Sequence, residues 1–405
     1  MNLNVLIVTG DNIENGAIGG KNTHIRLLEM GFSHYGINHN IIFPPDLIPR
    51  MKYTEYFECF IKYGIFPIKN DCIRHTFKLM KYLKAEIERK DIKPDIIHCQ
   101  DVISLLAIKN AYKFSKNKIP ILLTVHGYFT QEFIDNSQNY SKNSKNLLSN
   151  YGMKVEKEAI ENSSKIIAVD SRIKEYLIKE FHINSELITI LPNATDINKF
   201  SPISEQNKCN LREKKGYSKK DIIILVPRRL VPKNGVEYAI DAIKSISNGN
   251  VKLLIAGDGP LLAKLESKSD RDERIQFLGA ISYNEIDEYY KLSDIILIPS
   301  ITSNNIQEAT SISMLEGMAC EKYVICSNIG GMKEIIKERT TGFLVEEKNP
   351  DMIANIIQMI LTSNDNLSYI KTNARKYIEE NHSYISHSYK HISLYRDVLG
   401  EKINL

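Results

Sequence analysis

No CxxC pair occurs among the six cysteines, Cys59, Cys72, Cys99, Cys209, Cys320 and Cys326, most of which lie inside apolar runs. This spacing excludes the common zinc ligand sets and points to reduced core residues of a cytosolic protein. No stretch reaches the roughly 18 apolar residues of a membrane span. The opening MNLNVLIVTG has no basic n-region and too short an apolar run for a signal peptide, so it reads as a first buried strand. GxSxG, HExxH and P-loop motifs are missing, as are short repeats and low-complexity tracts. Excess charge of one sign is scarce: 53 Lys and Arg against 49 Asp and Glu leave +4. That balance excludes a dedicated nucleic-acid binder and leaves phosphate-bearing ligands as partners.

What is present is an alternation. Short β-rich runs (4–10, 38–43, 94–99, 119–127, 165–170 and 186–193) are separated by helical-period stretches, and a second half repeats the scheme at 221–227, 251–257, 275–279, 294–300, 323–327 and 342–346. A chain of 405 residues with this pattern predicts an α/β protein of two doubly wound, Rossmann-like domains facing across a cleft. We place the N-terminal domain at 1–200 and the C-terminal domain at 201–385, with a final helix over 386–405 packing back on the first. The polar stretch 193–221 reads as the linker. In such sheets ligands bind outside the carboxyl ends of the strands.

Several segments at those ends carry chemistry. In EATSISMLEGMA (308–319), Glu308 and Glu316 are eight residues apart, about 800° of helical rotation, so one helix would present both on nearly the same face, about 12 Å apart. Thr310 and Ser311 suit the capping of that helix, whose N-terminus offers donors to a diphosphate. The plainer reading is a favourable first-turn acid and a solvated one. Arg228, Arg229 and Lys233 cluster after a strand and before a helix, where cations can neutralise a leaving phosphate or simply line a solvated loop. Gly16, Gly19 and Gly20 between the first strand and first helix allow close backbone approach to a ligand, although the pattern is not GxGxxG. His126 closes a strand before Gly127 and is expected to project into the cleft rather than the core, against the alternative of a satisfied structural histidine. Two other motifs are weaker: DRD (270–272) is read as a charged turn rather than a metal-binding DxD, and GDGP (257–260) resembles part of a nucleotide loop but is equally a tight turn into a helix.

In this order, GAIGGKNTHIRLL, HGYF, LPNATDINKFSP, RRLVPKNGVEYAIDAI, LLIAGDGPL, IQFLGAIS, EATSISMLEGMA and CSNIGGMKEIIKERTTGFLV resemble the retaining glycosyltransferases of the GT-B fold, most closely glycosyltransferase family 4. The resemblance implies a nucleotide-diphosphate sugar donor (UDP- or GDP-linked), no catalytic metal and no further cofactor. It implies that Glu308 meets the donor sugar and Glu316 the ribose, that Arg229 and Lys233 hold the diphosphate, and that His126 stands beside the transferred sugar. Gly19 and Gly20 would contact phosphate, and the main chain of Ala280, Ile281, Ser282 and Tyr283 the nucleobase. Arg228, Gly257, Ala309, Thr310, Ser311 and Ile312 complete the expected donor set. Two departures stand out. Lys233 follows Arg229 by four residues where the family has five, leaving Asn234 in the expected place, so either the loop presents Lys233 or Arg228 substitutes. Thr310 and Ser311 replace the family's Phe-Gly.

The acceptor is expected to be a hydroxyl on a sugar, a lipid-linked glycan or another glycoconjugate. The segment 50–84 mixes cations with Tyr and Phe, as a segment lying at the cytoplasmic membrane face would. Its apolar Ile73, Phe77, Met80, Leu83 and Ile87 also fit a helix packed on a sheet. Competing functions on the same architecture are a nucleotide-sugar epimerase and a non-catalytic sugar-binding protein.

Overall fold

The computed structural model describes residues 3–13, 20–45, 52–63, 71–112, 119–135, 142–303, 307–363 and 367–400. The chain forms two compact units: Met1–Pro192 with Ser388–Leu405, and Asn193–His387. The first holds a six-stranded sheet of β1 (Asn4–Val8), β2 (Asn38–Ile42), β3 (Ile96–Cys99), β4 (Ile121–Val125), β5 (Lys165–Ala168) and β6 (Ile188–Ile190), in the order β2-β1-β3-β4-β5-β6. The second holds β7 (Ile222–Pro227), β8 (Val251–Ala256), β9 (Ile275–Gly279), β10 (Ile295–Ile298), β11 (Tyr323–Ser327) and β12 (Phe343–Val345), ordered β12-β11-β10-β7-β8-β9. All pairs are parallel. Parallel strands covered by helices on both faces must be apolar throughout, which is why β3 and β10 are buried at every position.

Each sheet reverses its strand order once, between β1 and β3 in the first unit and between β7 and β10 in the second. These switch points open a crevice at the carboxyl ends of the strands. The helix Tyr384–Val398 returns the chain to the first unit, where Ile392 and Tyr395 join the core of Val5, Ile7, Phe32 and Ile96. In the helix Asp71–Lys90, Ile73, Phe77, Met80, Leu83 and Ile87 are all buried, so its apolar stripe packs on the protein. No helix among the described residues is long and apolar enough to cross a membrane. Of the cysteines, Cys59, Cys99, Cys320 and Cys326 are buried free thiols, and Cys209 is a partly exposed one.

The polar stretch 193–221 is not a linker. The first unit ends at Pro192 rather than at residue 200, because Phe200 is fully buried in the second core with its ring edge-on to Tyr290 at 5.3 Å. Residues Glu205–Lys214 form a helix capped by Ser204, whose hydroxyl accepts from the Asn207 N–H. Its few apolar positions hid it from periodicity; charge secures it instead. Arg212 (2.7 Å) and Lys208 (2.7 Å) both reach Asp294, which also accepts from the Ile223 N–H. Burial opposes the Asp294 charge, but the two cations outweigh it and hold the carboxyl below its usual range. Asp294→Ala should therefore cost about 3 kcal/mol, the low end for a buried pair because Arg212 and Lys208 keep other partners, measured by urea unfolding at pH 7. The deficit should shrink as pH falls below about 4, where the unfolded carboxyl takes up its proton while the folded one still resists it, and be lost below the folded value. An unchanged midpoint at pH 7 would contradict the anchoring role.

Candidate active site

In the second unit, β7 ends at Pro227 and the next two residues diverge: Arg228 turns into the protein and Arg229 faces out. The Arg228 side chain is only 8% exposed, and its guanidinium joins four chain segments. It pairs with Glu308 at 2.9 Å and donates to Asn234 Oδ1 (2.5 Å), Ser300 Oγ (3.0 Å) and Ser311 Oγ (3.3 Å). Asn234 in turn donates to the Arg229 carbonyl at 2.7 Å, closing the turn that displays Arg229 and Lys233, both exposed. Two glycines permit this packing. A Cβ on Gly257 would sit 2.0 Å from the Arg228 carbonyl oxygen, and Gly235, at φ +61°, would place one 1.9 Å from the Pro299 carbonyl oxygen.

The helix Ile312–Ala319 begins at the N-cap Ser311, which makes no side-chain capping bond. The Ser311 hydroxyl is taken by Arg228, and the Thr310 carbonyl accepts from Asn193 Nδ2 at 3.2 Å. The expectation that the Ser311 side chain caps this helix is thus corrected. Its first-turn N–H groups are left to bind something else, and together with the helix dipole they favour an anion. Glu308 and Glu316 also do not share a helical face, because the helix starts four residues after Glu308. Glu308 bends back to Arg228, and its carbonyl accepts from the Gly331 N–H at 3.1 Å. Glu316 is buried, receiving a 2.6 Å hydrogen bond from Tyr290. Burial pushes its carboxyl up to about 8, against the pull of the Tyr290 hydroxyl and Lys199.

The loop after β9 presents Ala280 and Ser282 exposed and Ile281 and Tyr283 half-buried. Lys199, from the misread polar stretch, lies 4.9 Å over the Tyr283 ring and pairs with Asp287 at 3.0 Å.

At the carboxyl edge of the first sheet, His126 follows β4, Gln100 and Asp101 follow β3, and Gly20 opens the helix Gly20–His34. Gly19 lies outside the described residues. Asp101 caps the helix Val102–Ala111 in a capping box with Ser104, accepts from Gly10 N–H at 2.7 Å and pairs with Lys21 at 3.0 Å. His126 bonds Gln100 at 3.2 Å, and the His24 ring meets it edge-on at 4.8 Å. Burial, then nearby Lys21, pushes the His126 imidazole down to about 3, so it is neutral at physiological pH.

This combination of fold and polar clusters has relatives. Residues 18–199 match the family described as Glycosyltransferase Family 4, and 207–377 match Glycosyl transferases group 1. Two uncharacterized glycosyltransferases of Methanocaldococcus jannaschii are similar. One is 30% identical over 291 residues, 71% of each chain; the other is 27% identical over 344 residues, 82% of this chain and 84% of the relative. The chain belongs to the family 4, group 1 glycosyltransferases. Among solved structures, Anabaena HepE in complex with UDP-glucose superimposes on 98% of this glycosyltransferase and 100% of its own chain, with a TM-score of 0.71 at 17% identity, and so shares its GT-B fold.

Within the second unit of this glycosyltransferase, Arg228, Glu308, Thr310 and Ser311 come together at one helix start, with Ala309 and Ile312 flanking them. Glu316 lies one to two turns deeper on the same helix. Several polar residues escaped the sequence reading. Asn234 stood in the motif as a departure, and its link to Arg228 had no local signal. Asp101 had one, the Asp-x-x-Ser capping pattern. Tyr290, Lys199 and Gln100 had none.

Glu316 links the stability of the second unit to pH. Its folded carboxyl, at about 8, lies above the ordinary 4.5, so the native state keeps a proton that the unfolded chain has released. That contribution to stability is full below the unfolded value and is lost as pH rises from there to the folded value. Glu316→Gln should gain on the wild type between pH 5 and 8 by up to about 1.4 kcal/mol per pH unit, read from chemical unfolding at several pH values. A pH-independent difference would contradict the buried, protonated carboxyl.

Proposed function

We propose that the enzyme transfers a sugar from a nucleotide-diphosphate donor to a hydroxyl acceptor with retention of anomeric configuration and without a catalytic metal. The observation that carries this reading is the Arg228–Glu308–Ser311 cluster at the uncapped start of the 312–319 helix, with exposed Arg229 and Lys233 on the adjoining turn. The pyrophosphate would lie against the helix N-terminus, its charge matched by Arg229 and Lys233. Arg228 organises the loops and Lys233 is the second external cation. Gly20 would meet phosphate through its backbone, and Ala280–Tyr283 the base. Glu316 would hold a ribose hydroxyl. A uridine donor is favoured by the UDP-glucose bound to HepE.

In the reaction, the bond between the anomeric carbon and the phosphate oxygen breaks, the acceptor oxygen bonds that carbon, and the acceptor proton passes to a phosphate oxygen. Negative charge grows on the leaving diphosphate, and preorganised cations and N–H dipoles stabilise that state more than the ground state. Glu308, held by Arg228, positions the sugar rather than attacking it. His126, neutral with a value of about 3, hydrogen-bonds the sugar and supplies no proton. An epimerase on this scaffold would turn over donor alone; a binding protein would not turn over.

A lipid-linked acceptor is the second part of the proposal. In the helix Tyr53–Tyr63, Phe57 (58%), Phe60 (44%) and Ile61 (70%) are exposed, while Glu55 and Cys59 are buried on the opposite side. An apolar face beside the cations of Asp71–Lys90 fits an anionic membrane surface.

Glu308→Ala and Arg229→Ala should each lower kcat with UDP-glucose about 100- to 1000-fold, with Arg229→Ala leaving the melting temperature near wild type because the side chain is exposed. Near-normal turnover in both would sink the assignment. Flotation with phosphatidylserine liposomes should succeed for the wild type and fail for Phe57→Ser/Ile61→Ser; equal recovery of both would remove the membrane role.

A further inference from the structure

β3 and β4 pair in parallel, and Gln100, just past β3, reaches across to His126, just past β4, at the carboxyl edge of the sheet. Gln100 is 1% exposed, and its Oε1 lies 3.2 Å from His126 Nε2. Its Nε2 lies 3.2 Å from both ring nitrogens of His98, which are already bonded by the Tyr395 hydroxyl (2.7 Å) and Thr124 Oγ1 (2.6 Å). Burial above all, then His391 and His126, keeps the His98 ring neutral. The Gln100 amide nitrogen lies over the face of this ring, and its oxygen is turned toward His126. An amide oxygen only accepts. The His126 proton therefore sits on Nε2, and Nδ1 carries the lone pair.

We propose that Gln100 is a positioning residue that fixes His126 in the Nε2–H tautomer, so that the imidazole meets its ligand as an acceptor through Nδ1 and reads a sugar hydroxyl rather than an anionic phosphate oxygen. The last clause rests on the transferase reading above; the tautomer does not. The charged and titratable groups facing His126 are Lys21 and His24 from the helix Gly20–His34, His391 from the helix Tyr384–Val398, and His98 and Asp101 from β3 and its end. After burial, Lys21 and His391 disfavour the imidazolium and Asp101 favours it, which leaves a neutral ring whose tautomer Gln100 decides.

The test is nitrogen NMR on the full chain labelled at histidine, with the His126 signal identified by its loss in His126→Asn. At pH 7 the wild type should show Nε2–H; an Nδ1–H ring or an imidazolium overturns the proposal. Gln100→Glu keeps an acceptor and adds charge, so it should retain the tautomer and move the His126 titration upward. Gln100→Met removes the acceptor, so it should abolish the tautomer preference and lower kcat/KM with UDP-glucose about ten-fold, the scale of one hydrogen bond, while Kd for UDP alone stays at the wild-type value. A Met variant with unchanged tautomer and rate, or a ten-fold loss shared equally by UDP binding, would refute it. Should that variant not fold, the wild-type and Gln100→Glu spectra decide. Absence of turnover with every nucleotide sugar would strike the transferase reading alone, since the tautomer is measured without donor.

Discussion

A guanidinium taken out of water is costly unless it is paired, and the buried Arg228 is the constraint on which the second unit's working edge is built. Its partners come from the turn after β7, the end of β10, the loop carrying Glu308 and the start of the 312–319 helix. One cation thereby ties together the ends of two paired strands, the Glu308 loop and the helix start. It also decides what remains available. The Ser311 hydroxyl is diverted from capping, so the helix N-terminus stays open, and the inward turn of Arg228 leaves Arg229 and Lys233 to face outward.

Both units obey the same logic of topology. In the second, Arg228 follows β7 and Ser300 follows β10, the two strands at which the order reverses. In the first, Gly10 follows β1 and Asp101 follows β3, again the strands flanking the reversal, and Asp101 bonds the Gly10 N–H. Helices leave in opposite directions at such a point, so the crevice there has walls but no lid, and polar groups can be desolvated by their neighbours while staying within reach of a ligand. The same desolvation keeps His126 and Glu316 neutral near pH 7.

The fold was legible because β strands buried on both faces leave continuous apolar runs, and all twelve runs became strands. The stretch 193–221 was not, because its helix is held by Asp294 pairing with Lys208 and Arg212 rather than by an apolar stripe. Phe200, buried in a polar context, and the partly buried Tyr217 do the rest. The clustering of Arg228, Glu308 and Ser311 was partly legible from motifs, but the geometry of the two glutamates was not: a helix beginning at Ile312 rather than near Glu308 follows from Arg228 drawing Glu308 and Ser311 to itself. Tyr290 and Gln100 were invisible because their importance lies wholly in what tertiary packing sets beside them, Glu316 in one case and His126 in the other.

The most direct measurement is a crystal structure of the full chain with UDP-glucose. The account predicts the pyrophosphate within hydrogen-bonding distance of the N–H groups that open the 312–319 helix, with Arg229 or Lys233 on its outer oxygens and the Arg228–Glu308 pair intact behind it. Electron density for the nucleotide away from that helix start, or an Arg228 side chain swung out to bind phosphate with its internal partners released, would contradict it.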